Sequence, residues 1–201
     1  MVDIMSSNTI ETRTRILAAT VRVLEEHGGR GVSMGDIAKA SGISRQAVYL
    51  HFASRAELLV AATKYLDEVL DVDRRLALSR AATSGAERLA LYIDCWGHYI
   101  PEIHGVAKAL LLAQDNDEGA AAAWNDRMQA MRDGCRAAIE ALHSDGNLAP
   151  EWTPKRATDV LWTMLLVPNW ENLTGNCGWS TRQYVRWMQT MAKRTFIDES
   201  E

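Results

Sequence analysis

Residues 32–59, VSMGDIAKASGISRQAVYLHFASRAELL, place helix-starting serines at Ser33, Ser44 and Ser54, with the turn Ser41-Gly42-Ile43 between the first two. Ser33-Met34-Gly35-Asp36 reads as a capping-box-like start and Ser54-Arg55-Ala56-Glu57 as a full capping box. The expected elements are helix 2 after Ser33, helix 3 from Ser44 to about Phe52, and helix 4 from Ser54 past Leu70. Two short helices joined by a tight glycine-containing turn make a helix-turn-helix. Ala38 and Gly42 are small where the helices must cross, while Ile37, Ile43 and Val48 fill the shared core. That leaves Arg45, Gln46 and Tyr49 facing outward. An α-helix fits the major groove of DNA, where arginine pairs with guanine and glutamine with adenine. The open N–H groups at Ser33, Ser44 and Ser54 suit phosphates.

Outward from this stretch the chain is helical in both directions. A first helix is expected over about Thr12–His27, with Ile16, Leu17, Thr20, Val23 and Leu24 on one face and Gly28-Gly29 ending it. After helix 4, Ser84-Gly85-Ala86-Glu87 caps a fifth helix with the stripe Leu89, Tyr92, Ile93, Trp96, Ile100. Pro101 should end or bend it, and a shorter sixth helix covers roughly Ile103–Ala113. A seventh carries Trp124, Met128, Met131, Cys135, Ala138 and Leu142 at helical spacing. Thr153-Pro154 opens the eighth and Ser180-Thr181-Arg182-Gln183 the ninth. Pro168 either bends the eighth helix or ends it. No segment alternates with a period of two between hairpin turns, so the expected fold is all-α, about nine helices.

The chain has 201 residues and a formal net charge of −4. Residues 1–55 hold 7 Lys/Arg against 5 Asp/Glu, and the rest 15 against 21, so a mildly basic head sits on an acidic body. This excludes a polybasic coat. The longest apolar run, around Ala107–Ala113, contains Lys108, so no membrane association is expected, and the N-terminus lacks a signal pattern. Three cysteines, Cys95, Cys135 and Cys177, fit free thiols in a reducing cytoplasm. Cys95 and His98 lack a third ligand at compelling spacing, and no nucleophile elbow, phosphate-cradling loop or HExxH is present. No catalytic site, cofactor or metal is expected.

ILAATVRVLEEHG from Ile16, VSMGDIAKASGIS from Val32, and Val48-Tyr49-Leu50-His51-Phe52 followed by Ser54-Arg55-Ala56-Glu57-Leu58 together resemble the TetR (tetracycline-repressor-like) family of transcriptional regulators. The motif match covers about Ile16–Leu59; beyond it the resemblance lies in helix number and order. It implies a helix-turn-helix head over 1–55 and a ligand-binding and dimerisation body over 56–201. It further implies a homodimer, a double-stranded operator and a small-molecule effector. Carried over by position, Ser33, Arg45, Gln46, Tyr49 and His51 stand at DNA-contact positions, with Ser44 opening the recognition helix. Arg55 stands where the family usually has a lysine donating to phosphate; its fork differs from a point charge. Arg13 and Arg15 would lie near the backbone flanking the groove.

All seven tryptophans follow the head. Their stripes are the ordinary pattern of a core, yet aromatics with methionine also suit an adaptable apolar cavity. The candidate ligand set is Tyr92, Trp96, Tyr99, Met128, Met131 and Trp162, for an apolar or aromatic molecule, and the body's acidic surplus permits a cationic one through cation–π contact. The eighth and ninth helices are apolar on more than one face, which calls for two partners. The candidate dimer interface is Leu161, Leu165, Tyr184, Trp187, Met188 and Met191, packed as a four-helix contact about a two-fold axis. The expected function is a dimeric ligand-responsive repressor released from an inverted-repeat operator. The alternatives are a regulator with a protein partner or no ligand, and an α-helical enzyme that has borrowed the head.

Overall fold

The computed structural model describes the backbone of residues 2–198 and the side chains of residues 9–198. Among these residues there are ten α-helices and no strand: α1 Val2–Glu26, α2 Met34–Ser41, α3 Arg45–His51, α4 Arg55–Leu70, α5 Val72–Arg80, α6 Gly85–Ala113, α7 Glu118–Ser144, α8 Pro154–Met164, α9 Val167–Glu171 and α10 Thr181–Phe196. A π-helical turn, Asn172–Asn176, follows α9. An isolated antiparallel bridge pairs Leu148 with Ile197. The chain forms two compact units, Met1–Leu70 with Ile103–Asn125, and Asp71–Glu102 with Asp126–Glu201.

The first unit is built on the buried stripe of α1, in which Ile16 and Leu24 are wholly inaccessible. Against it lie Met34, Ile37 and Ala38 of α2, Val48 of α3 and Leu58, Leu59 and Ala62 of α4, all buried. Two hydroxyls in this core are spent on their own helices: Thr20 donates to the Ile16 carbonyl and Ser41 to that of Ile37. Farther along the chain, α1 ends in backbone contact with α6. A Cβ on Gly105 would stand 2.5 Å from the Leu24 carbonyl carbon, so only glycine permits the approach. At the crossing the Glu25 carboxylate accepts from the Gly105 N–H at 2.8 Å.

Several boundaries differ from the sequence expectation. The first helix starts at Val2 rather than Thr12. Helix 4 stops at Leu70, because Asp71 takes a left-handed conformation (φ 46°) and caps α5 through the Arg74 N–H. Aspartate tolerates that geometry better than most residues, and α5 was not expected. Of the two outcomes expected at Pro101, an end or a bend, the end does not occur, and no separate helix begins at Ile103. One helix, α6, runs through it. An internal proline costs about 3 kcal/mol, and burial of Ile93, Tyr99, Ile100 and Leu110 on the same helix offsets that. Pro168 stands in the first turn of α9, where its missing N–H costs nothing; α8 has already ended at Met164.

The second unit packs α5, the first part of α6, most of α7, and α8 to α10. Its core includes Leu89, Ile93, Ile100, Ala138, Ile139, Leu142, Leu161, Leu165, Tyr184 and Phe196. Its chain end is pinned by Ala149 N–H donating to the Phe196 carbonyl at 2.9 Å.

Burial raises the pKa of Glu25, against the lowering pull of the Gly105 and Val106 amides. The folded state therefore holds the proton more tightly than the unfolded chain. The stability this group contributes is complete below the unfolded carboxylate pKa and fades as pH rises through the raised folded value. Glu25→Gln keeps an acceptor for Gly105 and removes the titration. Thermal melts between about pH 4 and about pH 7 should show the variant gaining on the parent as pH rises; parallel curves would show that Glu25 titrates as it does in the unfolded chain.

Candidate nucleic-acid interface

The helix-turn-helix is assembled by local capping. Ser33 and Asp36 form a reciprocal capping box at the start of α2. Gly42, at φ 71°, closes α2, its left-handed conformation being the one glycine adopts without strain. Ser44 then caps α3 by accepting from the Ala47 N–H at 3.1 Å. Val48 and the capping residue Phe52 are fully buried, which fixes the roll of this two-turn helix. Arg45, Gln46, Tyr49 and Leu50 consequently form one exposed face.

Three arginines hold this arrangement through backbone carbonyls. From α1, Arg13 donates to the His51 carbonyl at 2.6 Å, its guanidinium 4.1 Å over the Phe52 ring. Arg22 donates to the Ala40 carbonyl at 3.1 Å. Arg55, at the start of α4, donates through Nε to the Val32 carbonyl at 3.2 Å, and burial lowers its pKa. Part of the Arg55 fork is thus committed to the fold. Sequence reasoning placed Arg13 near DNA and did not single out Arg22. The tethers join residues 38 and 18 positions apart, and no local pattern signals them.

The candidate DNA residues fall on one part of the first unit. Arg45 lies 5.7 Å from the Tyr49 ring centroid and donates to its hydroxyl at 3.5 Å; that bond raises the arginine pKa. No carboxylate occurs anywhere in α3. Ser44 and Gln46 are exposed and His51 is half-buried. Ser33 is exposed as well, but its hydroxyl donates to Asp36 at 2.6 Å. The same hydroxyl holds the Asp36 carboxyl below its usual pKa, leaving a negative charge at the start of α2.

The candidate ligand residues all belong to the second unit. Tyr92 and Met131 are brought together: the Tyr92 hydroxyl donates to the Met131 carbonyl at 2.8 Å and receives the Cys135 thiol at 3.8 Å. Burial pushes the Tyr92 hydroxyl well above its ordinary pKa and the Cys135 thiol to about 12. Trp96 and Tyr99 form a tilted pair with centroids 6.0 Å apart, and Trp96 Nε1 donates to the Leu165 carbonyl. Arg75 lies over Tyr99, and Arg132, ion-paired with Asp159, over Trp162. The Trp162 indole N–H is buried and has no protein acceptor. Met128 is half-buried. Separately, a groove of about 310 Å³ runs between α6 and α10, walled by Leu89, Ile93, Arg186, Gln189, Lys193 and Ile197, none of them among these six candidates.

Of the candidate dimer residues, Leu161, Leu165, Tyr184 and Met188 are buried within the unit, Met191 is half-buried and Trp187 is 44% exposed. Trp187 meets Trp179 edge-on with centroids 6.2 Å apart. Among the described residues no three His, Cys, Asp or Glu side chains gather as a metal site, and no helix is long and apolar enough to cross a membrane.

Residues 16–62 match the bacterial regulatory proteins of the tetR family. The HTH-type transcriptional regulator CymR of Pseudomonas putida is 25% identical over 157 residues, spanning 78% of this chain and 75% of that protein. A protein of Saccharomonospora viridis assigned to the transcriptional regulators and solved with choline shares the fold with a TM-score of 0.80. It is 19% identical, over 94% of this chain and 99% of that one. The SmeT–triclosan complex superimposes with a TM-score of 0.69 at 19% identity, over 94% and 93% of the two chains. A matching head sequence, a capped helix-turn-helix and a whole-chain likeness in fold agree: residues 16–62 form a head of the type found in the bacterial regulatory proteins of the tetR family, and the chain as a whole is similar to a regulator of transcription.

Proposed function

We propose that the protein is a dimeric, ligand-responsive repressor of the cytoplasm, with residues 1–55 reading DNA and 56–201 binding the effector and the second subunit. The observation that carries the reading is the α3 face. Val48 and Phe52 anchor one side of a short helix, and the other presents a guanidinium, an amide and a phenol with no carboxylate among them. Arg45 and Gln46 would contact base edges and Tyr49 a base methyl or phosphate, with Ser33, Ser44, His51 and Arg55 on the phosphate backbone. Two such heads about a two-fold axis would read an inverted repeat with recognition helices about 34–36 Å apart.

The effector would enter among Tyr92, Trp96, Tyr99, Met128, Met131 and Trp162. An apolar or aromatic molecule fits the ring-rich lining, and the unpartnered Trp162 N–H offers it one hydrogen bond. The S. viridis and SmeT complexes, with choline and triclosan, support a small-molecule site in a fold of this kind. Arg75 and Arg132 already cover the Tyr99 and Trp162 rings, which favours a neutral effector over a cationic one. To lower operator affinity 100-fold, the effector must prefer the non-binding conformer by about 2.7 kcal/mol. For the dimer, α8 and α10 would pair with their copies, Trp187 being the exposed contact and the buried candidates setting the helices from within.

Arg45→Ala or Gln46→Ala should cost about 1–3 kcal/mol on the operator and little on random duplexes. Arg55→Ala should weaken binding to both and flatten its salt dependence. Equal losses on both DNAs for all three variants would remove the base-reading roles. Light scattering should give twice the 22.4 kDa chain mass for the parent and a single chain for Trp187→Asp; an unchanged mass in the variant would place the interface elsewhere. A hydrophobic dye should quench tryptophan fluorescence and release operator DNA, and Trp162→Ala should blunt both effects. Release without quenching would move the effector site away from these rings.

A further inference from the structure

Leu50 is 87% exposed, more than any other large apolar side chain among the described residues. It follows Tyr49 directly and stands one turn after Gln46, so it extends the α3 face. The fold gains nothing from it: Val48 and Phe52, fully buried, anchor α3 without its help. A leucine held in water on the polar, carboxylate-free face of α3 keeps its burial free energy in reserve for whatever that face meets.

We infer that Leu50 is a further specificity-determining residue, which packs against the C5-methyl group of a thymine beside the bases met by Arg45 and Gln46. The inference rests on the DNA reading of α3. Charge complementarity selects the occupant, since Arg45 and the absence of carboxylates on α3 suit a polyanion. Within the major groove, the thymine methyl is the one apolar group that a base pair displays. The Arg45–Tyr49 contact holds those two side chains together one turn apart, so Leu50 meets the groove beside an ordered pair. The face thus carries a fork for guanine, an amide for adenine and a branched aliphatic group for thymine.

The test uses the full-length protein and the duplex it enriches from a random library. Thymines of each half-site are replaced one position at a time by deoxyuridine, which removes the methyl and leaves the pairing edge unchanged. The parent should lose about fourfold in affinity for each methyl removed at the Leu50 position. Leu50→Ala should bind the thymine and deoxyuridine duplexes equally, and Leu50→Met should restore the preference. Thymine-to-deoxyuridine ratios that are the same for parent and Leu50→Ala at every position would overturn the inference while leaving DNA binding intact. Failure of the parent to enrich any duplex would overturn the DNA reading and this inference with it. If Leu50→Ala instead halves the mass measured by light scattering, the side chain is a contact between copies and the inference falls.

Discussion

Burial of Val48 and Phe52 is the constraint on which the head depends. A helix of seven residues has too few hydrogen bonds to hold its own conformation in water, so its roll is set by what it buries. With those two side chains at zero exposure, Arg45, Gln46, Tyr49 and Leu50 have one direction left, which is outward. The Arg13 guanidinium reinforces this from α1, covering the Phe52 ring and holding the carbonyl of His51 at the helix end. The same cation that would draw DNA toward the head is therefore part of what keeps the reading helix in place.

What was legible in the sequence is what short-range physics determines. Ser33, Ser44, Ser54 and Ser180 begin helices because a side-chain oxygen three residues back satisfies an otherwise orphaned amide, and Gly42 ends one because it adopts a positive φ freely. The stop of helix 4 before Asp71 and the continuity of α6 through Pro101 were not legible in the same way. The left-handed turn at Asp71 uses a residue that rarely signals a stop, and α6 runs through Pro101 with Ile93, Tyr99, Ile100 and Leu110 of the same helix buried. Burial along α6 is a tertiary outcome, whereas the Asp71 cap on the Arg74 N–H is local but set on an uncommon left-handed aspartate.

The sites divide in the same way. The α3 face was readable from spacing alone, although Leu50 went unnoticed: an apolar residue between polar ones reads as core until the helix roll is known. In the body, the sequence revealed which side chains are aromatic but not what their polar ends do. Tyr92 donates to a carbonyl 39 residues away and Trp96 to one 69 residues away, so neither donor is left for a ligand. Trp162 keeps its N–H unpartnered, a distinction no periodicity could draw. Likewise Leu161, Leu165 and Tyr184 read as candidates for the dimer interface, and within the chain they are buried.

The central claim is that α3 enters the major groove twice, symmetrically. Dimethyl sulfate modification of guanine N7, an atom exposed only in that groove, tests it directly on the bound duplex. The account predicts two protected patches related by a two-fold axis and separated by about one helical turn. Full reactivity at every guanine N7 of a duplex the protein demonstrably binds would contradict it.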